Sequence, residues 1–236
     1  MTAQAALAAP SSSDALTPVE QAPTREQIND FKTEFRTSKV CGPITVIDNF
    51  TPNPDRLRQS ALESGFGTWR PNRGEVGSSN YDGMNFWGDH GIALRALTAA
   101  HGRPVYPNSM FFRVCNADTE GAYVHSDREA GDYTAIVYLS RHSSESGTGF
   151  YRHRESGETR MRSFAEMARS PEWFARFKAE MVEGRPEVWE CLRFVSGLYN
   201  RALIFEAPLF HARHPKHGFG SSCEDGRMVW VCHYNL

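Results

Sequence analysis

Three residues of this chain have types and spacing suited to chemistry at a metal ion. They are His125 and Asp127, in Tyr123-Val124-His125-Ser126-Asp127, and His211 well downstream. In an extended segment, side chains at i and i+2 leave the same face, so this imidazole and carboxylate can approach one ion together. A histidine delivered by a later strand would complete a two-histidine, one-carboxylate face. Such a face suits Fe(II) and leaves coordination positions open for oxygen chemistry. Taken singly, each residue has a bland use: a hydrogen-bonded loop histidine, a solvated turn carboxylate, a satisfied buried histidine. The chemistry therefore depends on elements that return residue 211 to residue 125.

Those elements read as mostly β. Met110 to Val114, Tyr133 to Leu139, Gly149 to Arg152, Arg201 to Glu206 and Met228 to Tyr234 are short runs of β-branched and aromatic residues. Turn sequences such as Ser143-Ser144-Glu145-Ser146-Gly147 separate several of them. Several short strands joined by turns predict a sandwich or jelly roll. Asn200 to Phe205 reads as a buried strand, Ala207-Pro208 turns the chain, and His211 follows at the rim of a sheet. His125 precedes a strand, where it can open into a cavity.

Upstream, residues 1 to 23 are rich in Ala, Ser, Pro and Thr without an apolar period, and read as a disordered tail. Thr24 and Gln27 form a capping-box pattern ahead of Ile28, Phe31 and Phe35 at helical spacing. Val40 to Ile47 predicts a strand and Asp55 to Ser64 a helix. Gly65 to Gly91 reads mostly as loop, anchored by Trp69 and Trp87. Ser163 to Leu192 is helical in pattern, with Ser170 as N-cap before Pro171 and Trp173, Phe174 and Phe177 as its apolar stripe. One domain over 24–236 with a helical insert at about 163–192 follows. The insert either shapes a substrate pocket or decorates the sheet.

Composition narrows the partners. A formal net charge of −2 gives no sign of a nucleic-acid or membrane surface, and no run of eighteen apolar residues reads as a membrane span. The alanine-rich start, Ala3 to Pro10, lacks the basic region of a secretory signal. Five cysteines at 41, 115, 191, 223 and 232 include no CxxC pair, so reduced, mostly buried thiols in a cytoplasmic protein are expected.

The run Tyr123 to Asp127, then Tyr133-Thr134-Ala135-Ile136-Val137-Tyr138-Leu139, then Gly147-Thr148-Gly149-Phe150, resembles the 2-oxoglutarate/Fe(II)-dependent dioxygenases, closest to the prolyl-hydroxylase-like branch. There an HxD strand is followed by a "YLN"-type strand and a "GGET-F"-type turn. Asn200 to His211 resembles the same branch's late strand and distal histidine, and Val46-Ile47-Asp48-Asn49-Phe50 with Pro54 is similar to bacterial members. The resemblance spans roughly residues 40 to 236 and is specific in 121–151 and 199–231.

It implies a double-stranded β-helix (jelly-roll or cupin-like) core in an α+β, mainly β chain with N-terminal helices. It implies Fe(II) held by His125, Asp127 and His211, with 2-oxoglutarate as co-substrate and O2 as oxidant. Family members usually pair the C5 carboxylate of 2-oxoglutarate with an Arg or Lys on a strand after the distal histidine. Arg227, opening the last strand, takes that part, since bidentate pairing suits a carboxylate. Arg201, Arg213 and Lys216 are its competitors, and Tyr123 and Tyr133 could offer a phenol to the same carboxylate. His153, His214 and His217 are not expected as ligands. Related halogenases carry a small residue where Asp127 stands, so a carboxylate there implies hydroxylation or desaturation. The implied activity is hydroxylation of an unactivated C–H bond in an amino acid, peptide or small natural product. The alternatives are a cupin-like metal-dependent binding protein without oxygenase activity, a structural sandwich, and a zinc hydrolase, for which no carboxylate base is evident.

Overall fold

Along the last strand, β10 (Arg227–Asn235), two sets of side chains alternate, and both are largely buried. Met228, Trp230, Cys232 and Tyr234 join one apolar cluster, while Val229 and Val231 join another. A strand buried on both faces must lie between two layers. The computed structural model, which describes residues 42–69, 81–119, 121–141, 146–183 and 186–236, shows what those layers are.

Among the described residues, β10 is central in a seven-stranded antiparallel sheet. Its other strands are β1 (Ile44–Ile47), β2 (Gly67–Trp69), β3 (Tyr81–Asn85), β4 (Tyr106–Cys115), β5 (Tyr133–Tyr138) and β8 (Ala202–Glu206), in the order β1-β8-β5-β10-β4-β3-β2. A smaller antiparallel sheet runs β7-β6-β9, built from β6 (Gly147–His153), β7 (Trp189–Ser196) and β9 (His211–His214). An isolated antiparallel bridge between His125 and His211 extends it beyond β9. From β4 onward the chain passes back and forth between the two sheets, which is the winding of a jelly roll. The sheets face each other across Ile136, Tyr138, Phe150, Val195, Leu203, Phe205, Val229 and Val231.

Two helices cover the outer face of the large sheet. Helix α1 (Pro54–Ser64) starts where the Asn53 side chain accepts from the Arg56 N–H and Pro54 supplies a preset φ. Helix α2 (Gly91–His101) stops at Gly102, whose φ of 65° suits glycine and whose N–H donates to Thr98 and Ala99 carbonyls. Leu57, Ala61, Ala93 and Leu97 bury fully against Phe112, Val137 and Trp230. Each such leucine contributes about 1.5–3 kcal/mol.

The insert packs on the other side of the molecule. Helix α3 (Phe164–Arg169) begins with a capping box between Ser163 and Glu166, and α4 (Pro171–Glu183) follows. Phe177 of α4 is buried among Tyr151, Trp189, Phe210 and Ala212, on the outer face of the small sheet. The buried His153–Glu180 pair, 2.9 Å, ties α4 to β6. The insert is therefore chiefly a brace behind β9. The insert also meets the segment that carries His125 and Asp127: Arg128 lies 5.6 Å over the Phe164 ring, and Val124 packs on the cluster around Phe177.

Several expectations are corrected. The stretch Gly65 to Gly91, read mostly as loop, contains β2 and β3, which extend the edge of the large sheet. Trp87 anchors nothing, being 83% exposed, and the Trp69 side chain lies outside the described residues. Helical pattern was expected to Leu192, but Pro186 opens a short 3-10 turn and residues from Trp189 pair with β6. Ser163 caps α3 through its side chain, and Ser170 stands at the start of α4 as expected, directly before Pro171 with its carbonyl accepting from the Phe174 N–H at 3.1 Å. The 1–23 tail and the Thr24 helix also lie outside the described residues. No helix among those described is long and apolar enough to cross a membrane.

Candidate metal centre

His125 and His211 are brought together by main-chain pairing. Each backbone N–H donates to the other's carbonyl at 2.9 Å. Asp127 is fixed by its N–H to the Ala207 carbonyl, 2.9 Å, and by a turn in which its own carbonyl accepts from Ala130. Both histidines have Nδ1 2.9 Å from a carbonyl, of Tyr123 and Leu209 respectively. A carbonyl can only accept, so each Nδ1 carries hydrogen and each Nε2 is the metal-facing nitrogen. His125 Nε2 lies 3.6 Å from Asp127 Oδ1, and His211 Nε2 lies 3.2 Å from Asp127 Oδ2. One donor atom from each residue falls within 4.8 Å of the others.

The site is open on one side. The His211 side chain is 5% exposed and Asp127 14%, but His125 is 46% exposed. Exogenous ligands can reach the donors past His125.

Burial works to raise the Asp127 carboxyl, but His211, His233 and His125 outweigh it and hold the group well below the usual carboxylate range. For His211, burial works downward, and the charge and hydrogen bond of Asp127 reverse it to a net rise. His125 is pushed down to about 4 by loss of water and by neighbouring His211. The ion-free site thus favours a proton on His211, beside the Asp127 carboxylate, over one on His125. A divalent cation can replace that proton and use all three donors, so the donor set fits a metal such as Fe(II).

Deeper between the sheets lies Arg227, 3% exposed. Its Nη2 donates to the Gly147 carbonyl at 3.1 Å, its Cζ lies 5.7 Å from the Tyr138 ring, and its buried Nε has no hydrogen-bond partner. No carboxylate pairs with it among the described residues. Gly147 pairs with His214, three strand positions from the Phe150–His211 pair, so this end is roughly 10 Å deeper than the ligands. Gly147 must be glycine, because a Cβ would sit 2.2 Å from the Val195 carbonyl oxygen. Arg213 reaches the same region, donating from Nη1 to Cys115 Sγ at 3.2 Å. The hydroxyls of Tyr138 and Thr148, 2.8 Å apart, complete this end.

The expected tyrosines are placed otherwise. Tyr133 packs with the helix-side cluster, stacked on Tyr234 at 5.6 Å, and so lies on the opposite face of the sheet from Arg227. Tyr123 is 42% exposed beside Lys216 at the rim. The phenol near Arg227 belongs to Tyr138. Arg201 is engaged with Asp48 at 2.6 Å. His153 pairs with Glu180, His214 meets the Phe194 ring edge-on, and His217 contacts the Thr119 carbonyl. Sequence reasoning missed Thr134, whose hydroxyl donates to Asp127 Oδ2 at 2.8 Å, and His233, whose Nε2 is 3.5 Å from that oxygen. The even spacing 227, 229, 231, 233 was the available signal, since it sets His233 on the face of Arg227.

No curated protein matches the chain by sequence. Among solved structures, the chain is similar to SnoK, a non-heme α-ketoglutarate-dependent carbocyclase of nogalamycin biosynthesis, at 14% identity over 90% of this chain and 83% of that one, with a TM-score of 0.47. AviO1 from Streptomyces viridochromogenes Tue57 is similar at 14% identity over 92% and 96%, TM-score 0.47. Iron-bound HygX from Streptomyces hygroscopicus is similar at 16% identity over 91% and 87%, TM-score 0.44. Residues 110–231, which contain all three clustered donors and Arg227, match the family model DUF6445, and the chain belongs to that family of unknown function.

Proposed function

We propose that the chain is a non-haem Fe(II)- and 2-oxoglutarate-dependent dioxygenase that hydroxylates an unactivated C–H bond of an amino acid, a peptide or a small natural product. The observation that carries this reading is the pairing of an open His125–Asp127–His211 face with a deeper buried guanidinium, Arg227, that has no carboxylate partner. A buried cation without a counterion is costly, and a carboxylate on a ligand would relieve it. A short dicarboxylic keto acid has the length and charge to reach both.

When bound, Fe(II) with 2-oxoglutarate and O2 supplies the oxidising power. The protein holds and orients. His125, Asp127 and His211 would hold the ion, Arg227 would receive the distal carboxylate, and the Tyr138 and Thr148 hydroxyls would stand beside it. Phe150, Phe205, Val229 and Val231 belong to the buried apolar cluster between the sheets and would keep water from the site. Asp127 fills a ligand position with a carboxylate, which favours hydroxylation over halogenation. The residue pattern supports the prolyl-hydroxylase-like branch, in a single oxygenase domain. A cytoplasmic setting would keep both iron and thiols reduced.

The test is anaerobic loading with Fe(II) and 2-oxoglutarate, admission of O2, and measurement of succinate against a panel of amino acids and peptides. Iron-dependent succinate raised by one panel member is the expected result. Tight metal binding without any succinate would instead indicate a cupin-like binding protein.

A further inference from the structure

Ser109, His233 and Thr134 form one cross-strand row over β4, β10 and β5. Ser109 Oγ lies 2.7 Å from His233 Nδ1, His233 Nε2 lies 3.5 Å from Asp127 Oδ2, and the Thr134 hydroxyl donates to that same oxygen at 2.8 Å. The His233 side chain is 14% exposed, and its ring centroid is 5.8 Å from that of Phe111.

Two tautomers of His233 are conceivable, and the carboxylate chooses between them. If Nδ1 carried the hydrogen, the Nε2 lone pair would face the lone pairs of Asp127. If Ser109 donates its O–H to Nδ1, then Nε2 carries the hydrogen and points it at Oδ2. Oδ2 then faces two donors from the large sheet besides His211 Nε2 at 3.2 Å, whereas Oδ1, 3.6 Å from His125 Nε2, is the less engaged oxygen and the one freer to take an ion.

We infer that Ser109 and His233 are a positioning pair that makes Asp127 a one-oxygen metal ligand. The inference rests on the metal-centre reading above and adds a function for two residues outside the triad. Without these donors, the carboxylate is free to swing and chelate the ion through both oxygens. That would take a coordination position an exogenous ligand needs. Partners of this kind orient the ligating group and set its basicity.

The test uses Co(II) alone as probe, with affinity from calorimetry and coordination from the visible ligand-field spectrum. His233→Leu keeps bulk and removes the donor, His233→Gln keeps an N–H near the Nε2 position, and Ser109→Ala releases the tautomer. Expected are a roughly 10- to 100-fold affinity loss with an altered spectrum for His233→Leu, recovery of most of both by His233→Gln, and an intermediate result for Ser109→Ala. If His233→Leu does not fold, the other two variants still decide, because only donation predicts their order. Unchanged affinity and spectrum in His233→Leu overturn the inference, as does a His233→Gln variant no better than His233→Leu. Co(II) binding that His125→Ala abolishes and His233→Leu leaves intact overturns this inference alone. A wild-type chain that binds no Co(II) overturns the metal centre and this inference with it.

Discussion

His125 and His211 donate their backbone N–H groups to each other's carbonyls, both at 2.9 Å, and their rings lie 4.4 Å apart. Two candidate ligands distant in the chain are thus registered by main chain, whatever their side chains. The same row continues to Phe150 on β6, so the ligand pair is part of the sheet. Such a site needs little rearrangement to receive an ion.

Removing a ligand should therefore cost metal and spare the fold. His125→Ala, Asp127→Ala and His211→Ala are each expected to weaken Fe(II) binding by more than about 100-fold, beyond the usual effect of an outer partner, while far-UV circular dichroism is retained. Asp127→Ala should also abolish succinate formation. Unchanged coupled turnover in that variant would sink the triad.

Metal uptake should release a proton. The pKa of His211 is raised by Asp127, so in the ion-free chain it holds its proton at pH values where an ordinary imidazole would shed it. Ligation requires the neutral ring, so affinity increases as pH rises through the raised value and weakens below it. His125, at about 4, is already neutral over this range and adds nothing. Calorimetry near pH 6.5 in buffers of different ionisation enthalpy should report net proton release, between about one half and one proton per ion, because the raised His211 is more than half protonated there. Buffer-independent heats would refute the assignment.

Arg227→Met separates a co-substrate anchor from a structural cation. The native guanidinium is buried and its Nε lacks a hydrogen-bond partner, so losing it should not lower the melting temperature of the ligand-free chain. Affinity for 2-oxoglutarate should fall by about 1.5–3 kcal/mol, the worth of a hydrogen bond to a charged group, with Fe(II) affinity unchanged. A several-degree drop in melting temperature with normal 2-oxoglutarate binding would assign Arg227 to the scaffold.

The insert should behave as a brace. Phe177 is 2% exposed and packs on Trp189 and Phe210, directly before His211. Phe177→Ala is expected to cost about 3–5 kcal/mol of stability, read by urea denaturation. Metal affinity should move far less, because His211 is also held by His125 and β6 from the other side. A variant with normal stability and lost metal binding would contradict this division.

The chemistry was legible because it depends on residue types at short spacing. An imidazole and a carboxylate two apart share a face in any extended segment, whichever sheet receives it. β5, β8 and β10 were also legible, since runs such as Tyr133 to Leu139 have the composition of buried strands. β2 and β3 were not: Gly67–Trp69 and Tyr81–Asn85 are short edge pieces held mainly by pairing. Tyr133, expected as a possible phenol for the co-substrate carboxylate, belongs to the helix side. Alternation sorts a strand into two sets, but where both faces are buried no polarity says which set looks inward, and a one-residue error exchanges them.

By itself the sequence determined the donor types, their two-residue spacing and the β character of the strands that carry them. These depend on side-chain chemistry and local backbone geometry. Only the tertiary structure decided that His211 returns to His125, that Tyr138 rather than Tyr133 stands by Arg227, and that His233 and Thr134 hold Asp127. These relations come from register between strands far apart in sequence. Long-range backbone pairing sets that register, and the local pattern does not encode it.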